Sequence, residues 1–385
     1  MQSILLWTSG ILLGLSLCGA FYALACAFFA GRFMRMRVQD KNVLPAVTIL
    51  KPLHSEEPEL EANLESFCRQ DYPAPVQLVF GVHDGADPAL AVAMNLIAKY
   101  PNLDARIVAD NRIYGANRKI SNLINMLPAA KHDALVLSDS DINVEPNWLA
   151  EVMGALEQKG VGIVTCLYVG RAWRAPGVSR FWPVMAAMAP TYDFLPNVIF
   201  GTSSGLAAPC FGSTIALKRQ VLDEIGGFSR FSDLLADDYE LGRAVREKGY
   251  ALAIPPIKVD HLSTEASFLE LFRHELRWTR TIRLVNPGGH FGSGITFTVP
   301  LALIALLVSG LTPLAWLVFG AALMSRQVLK WRLDRVLNIH SGPAWLLPLR
   351  DMLSFAVFVT SLFGETVHWR GERYEVEPSG AMSQS

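Results

Sequence analysis

A long apolar run near the start limits what this chain can fold into. Residues 4–30 contain no Asp, Glu, Lys, Arg or His. As a helix, the run would rise about 40 Å at about 1.5 Å per residue, which exceeds a hydrocarbon core of about 30 Å. A cleaved signal peptide is the alternative, but the run is too long for one and no basic segment precedes it. We therefore predict an N-terminal transmembrane anchor, residues 1–31.

The composition agrees with a membrane protein. The chain is 51% hydrophobic and only 18% charged, whereas soluble domains carry about 25% charged residues. Its net charge of -1 excludes the strong positive field expected of a dedicated nucleic-acid binder. The five cysteines are widely spaced and form no CxxC pair, which predicts reduced thiols rather than a disulfide framework or a zinc site.

Basic clusters set the predicted topology. Lys and Arg beside a span favour the cytoplasmic side, so the region after the anchor is predicted to be cytoplasmic. The next apolar stretch, residues 292–324, is interrupted by SGLTP at 309–313. It is either one kinked span or a hairpin; we favour a hairpin, residues 291–325, because it returns the second basic cluster to the cytoplasm. The two clusters are Arg32, Arg35, Arg37 and Lys41, and Arg326, Lys330, Arg332 and Arg335.

The remaining C-terminal segments are less regular. Residues 345–364 are apolar but contain Arg350 and Asp351, and charges in mid-segment are costly in lipid. This predicts a third membrane segment that is re-entrant or lies at the interface. Residues 378–385 are polar and predicted to be a disordered tail.

Residues 181–211 carry one charged side chain, Asp193, and four prolines, which suits either a lipid-receiving surface or a buried crossover.

Residues 45–285 have the pattern of a cytoplasmic α/β domain. Short β-rich runs alternate with helical periodicity there, which indicates a mostly parallel sheet covered by helices. In such sheets ligands bind beyond the carboxyl ends of the strands. The chain has neither GxGxxG nor GxxxxGK[ST], so nicotinamide cofactors and P-loop ATP chemistry are unsupported.

Three acidic motifs follow predicted strands or begin a helix. The strand 134–137 leads into SDSD at 138–141, and the carboxylates of Asp139 and Asp141 suit Mg²⁺ or Mn²⁺, although a solvated turn is the alternative. Asp84 follows the strand 76–82. Asp237 and Asp238 stand at the start of a predicted helix, where each could complement the helix dipole or act as a base.

A helical motif, HELRW at 274–278, places His274, Arg277 and Trp278 on one helix face. An Arg guanidinium suits phosphate oxygens, and an indole suits a sugar or lipid face. A packing stripe beside a surface cation is the alternative.

In this order the motifs resemble the ceramide glucosyltransferases, whose pattern is D, then DxD or a reduced form of it, then D, then (Q/R)xxRW. The resemblance extends over nearly the whole chain and includes VTILKPL at 47–53, KISNL at 119–123 and WRGERY at 369–374. Within this family, SFCRQDYP at 66–73, NRK at 117–119, CFGST at 210–214 and HELRW look most like the bacterial hopanoid-biosynthesis glycosyltransferase.

The resemblance implies a role for each candidate residue, in a nucleotide-sugar-binding domain of the GT-A type. Asp84 and Lys119 would bind the donor, Asp139 the nucleotide and the cation, Asp141 the cation (Mg²⁺ or Mn²⁺), Asp238 would be the catalytic base, and His274, Arg277 and Trp278 would contact the diphosphate and the acceptor. Two positions depart from the family pattern. His274 replaces the usual Gln or Arg, and Asp237 stands where related enzymes often have Glu.

The resemblance also implies an activity. It predicts a multi-pass, inverting transferase of a bacterial inner membrane, facing the cytoplasm, that moves one sugar from a UDP-sugar, UDP-N-acetylglucosamine, to a hopanoid such as bacteriohopanetetrol. Ceramide with UDP-glucose is the first alternative. A processive polysaccharide synthase, which would need more spans, and a non-catalytic lipid-binding membrane protein are the others.

Overall fold

The computed structural model describes residues 2–36, 44–174, 177, 179–364, 366–369, 372–376 and 382–384. The chain divides into two compact units. The helical unit comprises Met1–Arg35, Gly170–Ala207 and Ser263–Ser379, and the sheet unit comprises Met36–Val169, Ala208–Leu262 and Gly380–Ser385. Two of the predicted cytoplasmic basic residues, Arg37 and Lys41, lie outside the described residues.

The described strands and helices follow in chain order. The strands are β1 (Val47–Pro52), β2 (Val76–Val82), β3 (Asp104–Ala109), β4 (Ala134–Leu137), β5 (Ile142–Asn143), β6 (Val161–Thr165), β7 (Leu167–Ala172), β8 (Ile215–Lys218), β9 (Ala251–Ala253), β10 (Lys258–Ser263), β11 (Thr366–Trp369), β12 (Glu372–Val376) and β13 (Met382–Gln384). The helices are α1 (Gln2–Phe33), α2 (Leu60–Cys68), α3 (Ala89–Lys99), α4 (Arg118–Met126), α5 (Trp148–Leu156), α6 (Phe181–Ala189), α7 (Leu195–Ser203), α8 (Arg219–Glu224), α9 (Asp237–Glu247), α10 (Phe268–Val285), α11 (Pro287–Gly292), α12 (Thr298–Val308), α13 (Pro313–Leu337) and α14 (Leu347–Ser361).

The sheet unit is built on a seven-stranded mixed sheet in the order β3-β2-β1-β4-β8-β6-β9. The strands β3, β2, β1 and β4 are parallel, and β8 runs antiparallel to both β4 and β6. This sheet confirms the predicted α/β class with a mostly parallel sheet, and β2 and β4 have the predicted bounds. The carboxyl ends of β1, β2 and β4 meet at one edge, as parallel pairing requires.

Helices cover both faces of the sheet because its central strands are apolar on both sides. Consecutive residues of β1, Ile49 and Leu50, point to opposite faces and belong to two different buried clusters. Leu64 of α2 and Val152 of α5 pack in the cluster with Ile49, and the other cluster contains residues of α4 and α9. Alternation along a strand has a period of two, so each face receives its own layer of helices.

The helical unit contains the candidate membrane spans found among the described residues. Two of its helical segments, Trp7–Phe33 and Ala344–Ser361, are long and apolar enough to cross a membrane, and a third candidate is the pair Pro287–Thr296 and Thr298–Val308, bent by 61°. Ser16 Oγ on α1 donates to the backbone oxygen of Thr298, which begins α12, and Thr298 Oγ1 donates to the backbone oxygen of Ser16. By length and composition, the protein is membrane-associated.

The predicted hairpin, residues 291–325, contains a helix break at the predicted place. Helices α12 and α13 are separated by residues 309–312, and Ala302 and Val318 from the two helices belong to one buried cluster. Helix α12 has 11 residues, so it rises only about 16 Å, less than a hydrocarbon core. Helix α13 continues to Leu337, beyond the predicted end of the hairpin.

The charged residues of the predicted third membrane segment are buried and paired. Arg350 Nη1 and Nη2 lie 2.8 and 2.5 Å from the carboxylate oxygens of Glu275. Asp351 accepts from Arg326 at 2.9 and 2.6 Å. Pairing offsets the cost of taking these charges out of water. These ion pairs explain how an apolar helix accommodates Arg350 and Asp351. The same two charges are the reason why the sequence predicts a re-entrant or interfacial position.

Two further predicted segments have local structure. Residues 181–211 contain α6, a π-helical turn at Pro190–Phe194 and α7, and Asp193 in that turn accepts from Arg326 at 2.5 Å. The predicted tail, residues 378–385, lies mostly outside the described residues, and its described part is β13.

Candidate active site

The site begins where β4 ends. Asp139 follows β4, and its Oδ1 lies 2.6 Å from Lys119 Nζ. Lys119 is held in the first turn of α4, because the side chain of Asn117 accepts from Ile120 N at 3.1 Å and so caps this helix. Strand β4 and helix α4 thus bring the predicted donor-binding residues Asp139 and Lys119 together.

The start of α9 supplies two carboxylates with different partners. Asp238 accepts from Gly212 N at 2.8 Å through Oδ2 and from Tyr239 N at 2.8 Å through Oδ1. Asp237 instead accepts from Asn117 Nδ2 at 3.2 Å, which ties α9 to the cap of α4. The two adjacent carboxylates therefore have different hydrogen-bond partners: Asp237 contacts Asn117, and Asp238 contacts Gly212.

Gly212 lies among the charged groups of this site. A Cβ atom on Gly212 would lie 3.0 Å from Lys119 Nζ, 3.1 Å from Asp139 Oδ2 and 3.6 Å from Asp238 Oδ2. These distances place Asp238 beside the Asp139–Lys119 pair. A side chain at this position would crowd Lys119, Asp139 and Asp238, so the glycine leaves room for the three charged groups. Glycine in the CFGST segment was the available sequence signal for this position.

Burial and charge shift the acid–base properties of the site. Burial, and next the neighbouring charge of Asp237, raise the pKa of Asp238 to about 6. Burial alone would lower the pKa of Lys119, but Asp139, Asp237 and Asp238 together raise it. Burial, with Asp141 adding to it, raises the pKa of Asp139 even though Lys119 opposes the rise. The site thus holds a charged lysine, Lys119, and two carboxylates, Asp139 and Asp238, that accept a proton more readily than usual.

Asp141 has one engaged oxygen and one open oxygen. Its Oδ2 lies 3.2 Å from His261 Nε2, whereas its Oδ1 is buried and has no hydrogen-bond partner within the described structure. Burial favours the neutral form of Asp141, but the charge and hydrogen bond of His261, together with the charges of Lys51 and Lys119, outweigh it, so the pKa of Asp141 is lowered. An ionised carboxylate with a buried open oxygen fits a hard divalent cation.

The protein supplies few ligands of its own. Among the described residues, no three His, Cys, Asp or Glu side chains are arranged to hold a metal ion. Mg²⁺ typically binds through one or two carboxylates together with water and substrate phosphates. Asp139 and Asp141 fit that pattern, in which the remaining ligands would come from water and a substrate diphosphate.

Two residues near the carboxylates were missed by sequence reasoning. Lys51 on β1 is fully buried and donates to the backbone oxygen of Asp139 and, at 3.4 Å, to Ser138 Oγ. Burial lowers the pKa of Lys51 to about 7, although Asp139 and Asp141 oppose the shift. A lysine inside an apolar strand is a sequence feature that could have indicated Lys51. No sequence feature indicated His261, because β10 is remote from the SDSD motif in sequence.

The remaining predicted residues belong to other elements of the structure. Asp84 follows β2, which β1 separates from β4 in the sheet, and its Oδ1 accepts from Ala86 N at 2.8 Å. His274, Arg277 and Trp278 lie on α10 of the helical unit. The rings of His274 and Trp278 make an edge contact with centroids 4.3 Å apart, and His274 Nδ1 contacts Glu265 Oε1. The predicted shared helix face of His274 and Trp278 is therefore present.

Comparison with known proteins agrees with these motifs. Ceramide glucosyltransferase 1 of Caenorhabditis elegans is 25% identical over 383 residues, which cover 93% of this chain and 78% of the relative. A ceramide glucosyltransferase of Candida albicans is 36% identical over 121 residues, or 29% of this chain and 22% of the relative. Among solved structures, a mannosyltransferase of Pyrobaculum calidifontis in complex with GDP-Man and Mn²⁺ overlaps with a TM-score of 0.49 at 19% identity, covering 92% of this chain and 99% of that one.

The α/β fold, the carboxylates at its strand ends and the relatives together define the class of protein: it is a glycosyltransferase. Residues 11–382 match the family described as glycosyl transferase family 21. The chain therefore belongs to that family, and the resemblance to ceramide glucosyltransferases is confirmed.

Proposed function

We propose that this protein transfers one N-acetylglucosamine from UDP-N-acetylglucosamine to a hydroxyl of a hopanoid polyol, with inversion at the anomeric carbon. The observation that carries the reaction type is the buried carboxylate of Asp238 beside the Asp139–Lys119 pair. The sugar and the lipid are proposed from the resemblance of the SFCRQDYP, NRK, CFGST and HELRW segments to the bacterial hopanoid-biosynthesis enzyme.

Asp238 is the proposed catalytic base. Two backbone N–H groups hold its carboxylate in place, and a pKa of about 6 leaves it ionised at neutral pH while making it a stronger base than an ordinary aspartate. Asp238 would take the proton from the lipid hydroxyl as that oxygen attacks the anomeric carbon. A positioned general base contributes about 10²- to 10⁴-fold to the rate.

The donor diphosphate is the proposed partner of the other charged groups. Asp139 and Asp141 would hold a divalent cation, which, when bound, supplies positive charge next to the leaving diphosphate. Lys119 would hold Asp139 in position and add positive charge to the donor site. Asp84 would bind the uridine.

Residues of α10 are the proposed diphosphate and acceptor contacts. Arg277 would pair with diphosphate oxygens, since a guanidinium offers a planar set of donors to phosphate. Trp278 would face the sugar or the lipid, and His274, held by Glu265, would take the place of the family's Gln or Arg.

A donor and acceptor panel tests the proposal. The purified protein in detergent is incubated with UDP-N-acetylglucosamine or UDP-glucose, each with bacteriohopanetetrol or ceramide, and the lipids are analysed by mass spectrometry. The expected product is bacteriohopanetetrol carrying one N-acetylhexosamine, absent with Asp238→Asn. A polymer, or no turnover with any pair, would reject the proposal.

Ceramide glucosylation is the second candidate function. It is favoured by the C. elegans relative, which matches 93% of this chain. Exclusive formation of glucosylceramide in the panel would establish this alternative in place of hopanoid glycosylation.

A further inference from the structure

A buried ion pair holds the helix that carries the HELRW motif. Arg350 Nη1 and Nη2 on α14 lie 2.8 and 2.5 Å from Oε1 and Oε2 of Glu275, which is the second residue of that motif. Both side chains are buried. Two parallel N–H···O bonds between a guanidinium and a carboxylate fix their relative orientation as well as their distance. The pair therefore fixes the direction in which the side chain of Glu275 leaves α10.

The guanidinium of Arg350 is itself held in place. Its Nη1 also donates to Met185 O on α6 at 3.1 Å, and its Nε and Nη2 donate to Ser354 Oγ at 3.1 and 2.9 Å. Together with the two bonds to Glu275, these bonds use the five N–H groups that an arginine offers. Arg350 cannot turn to another partner without losing one of them, so it is a fixed point of attachment for α10.

Helix α10 is attached to the same segment at a second place. Arg280 Nη2 and Arg283 Nη2, both on α10, donate to the backbone oxygens of Phe363 and Gly364 at 2.8 and 2.6 Å. These two oxygens lie just beyond the end of α14, whereas Arg350 lies in its first turn. The position of α10 is thus set at both ends of α14, within and just after the candidate membrane span Ala344–Ser361.

Stability alone does not account for the ion pair. The cost of taking two charges out of water offsets most of their attraction, and an apolar pair of similar size often gives equal or greater stability. An apolar contact, however, tolerates rotation of one helix against the other. Successive residues are about 100° apart around a helix axis, so fixing Glu275 also fixes the directions of His274, Arg277 and Trp278. Orientation is therefore what the ion pair adds.

We propose that Arg350 is a positioning residue: through Glu275 it sets the rotation of α10 and hence the direction of the HELRW side chains, without contacting a substrate. This rests on the proposed function only in assigning Arg277 to the donor diphosphate. A charged residue of a predicted membrane segment thereby acquires a role in donor binding.

An apolar replacement of the pair is the direct test. The full-length protein carrying Arg350→Met and Glu275→Leu is studied in detergent, where its unfolding midpoint should equal or exceed that of the wild type. Calorimetric titrations with Mn²⁺ present should show UDP affinity lowered by about 10-fold or more, as expected for loss of a charge-assisted hydrogen bond. UMP affinity should be unchanged, because UMP has no second phosphate. Glu270→Gln, at an exposed glutamate of the same helix, is the control and should bind both nucleotides like the wild type.

A more conservative variant covers the case in which the apolar pair does not fold. Arg350→Lys keeps the positive charge but cannot form the two parallel bonds. It should therefore also weaken UDP binding while UMP binding persists. Unchanged UDP affinity in a folded Arg350→Lys and apolar-pair protein, or equal losses of UDP and UMP affinity, would overturn the proposal.

A double-mutant cycle shows whether Arg350 acts through Arg277. Arg277→Ala should weaken UDP binding, and adding the apolar pair to it should weaken UDP binding no further, because both changes remove the same contact. Additive losses would mean that Arg350 does not act through Arg277 and would overturn the proposal.

The same cycle distinguishes failure of this inference from failure of the diphosphate assignment. If Arg277→Ala weakens UDP binding and the apolar pair does not, only the role of Arg350 is wrong. If Arg277→Ala binds UDP normally, the diphosphate is bound elsewhere and both assignments fail. Formation of the glycolipid by the wild type is measured separately and tests the proposed function.

Discussion

At the scale of single residues, the carboxylates of the neighbouring residues Asp237 and Asp238 have different hydrogen-bond partners. Asp237 joins α9 to Asn117, at the cap of α4. Asp238 accepts two backbone N–H groups and lies beside the Asp139–Lys119 pair. The two carboxylates cannot both be aimed at one acceptor oxygen, so a single base is expected.

Substitution of the two aspartates separates their roles. Asp238→Asn keeps the shape but removes the proton acceptor, so kcat should fall by about 10²-fold or more while UDP-sugar binding persists. Asp237→Asn should lower kcat less. Steady-state kinetics and donor titrations of both variants check this. Near-normal turnover in Asp238→Asn with loss of activity in a folded Asp237→Asn would reverse the assignment.

The raised pKa of Asp238 predicts a pH dependence. A base works only when ionised, and the pKa of Asp238 is about 6 in the protein without substrates, so kcat/KM should fall as the pH drops through that value and level off above it. The pH profile of the wild-type kcat/KM, measured at substrate concentrations below KM, checks this. A kcat/KM that stays constant between about pH 5 and 7 would show that ionisation of this carboxylate does not limit the reaction.

At the scale of elements, paired charges connect helices of the helical unit. Arg350 on α14 binds Glu275 on α10, and Asp351 on α14 binds Arg326 on α13. Breaking such a buried pair leaves an uncompensated charge and costs more than the pair contributes to stability. These contacts make the relative positions of three helices depend on a few side chains.

Removal of one partner should reveal this dependence. Arg350→Ala leaves Glu275 buried without its main cation, so the loss of stability should be about 3–5 kcal/mol. Adding Glu275→Gln should recover part of that loss. Lys218→Ala, which breaks an exposed pair with Glu157, is the control and should cost about 0–1 kcal/mol. Unfolding in detergent measures all three; equal effects of Arg350→Ala and Lys218→Ala would contradict the account.

The limits of prediction from sequence also lie at this scale. Strands β2 and β4 have the predicted bounds, because each is a short, mostly apolar run, β2 between Pro75 and His83 and β4 between Asp133 and Ser138. The length of α13 was not predicted, because Arg326 and Lys330 were read as flanking charges although both are buried. The contact of His261 with Asp141 depends on the pairing of β5 with β10, which no local pattern reports.

At the scale of the whole molecule, the helix lengths bear on the membrane topology. The arm α12 alone is too short to cross a bilayer. A hairpin, whether it crosses the membrane or re-enters one leaflet, returns the chain after α13 to the side it came from. The chain beyond α13 is therefore expected on the cytoplasmic side, as the basic clusters predict.

A single cysteine reports this topology. His340 follows α13 and has an exposed side chain, and Cys18 is the exposed native cysteine among those described. In a Cys18→Ser background, His340→Cys should react with an impermeant maleimide only after bacterial inner membranes are opened or inverted. Labelling from the periplasmic side of intact membranes would instead establish an odd number of crossings between α1 and residue 340.

The anomeric configuration of the product is the most direct test of the central claim, that Asp238 activates a lipid hydroxyl for a single inverting displacement. The sugar in UDP-N-acetylglucosamine is α-linked, so one inversion gives a β-linked glycolipid. In the NMR spectrum of the purified product, the coupling constant between the sugar protons on C1 and C2 distinguishes the two linkages. The account predicts one β-linked N-acetylglucosamine per hopanoid, formed by the wild type and not by Asp238→Asn; an α-linked product would contradict it.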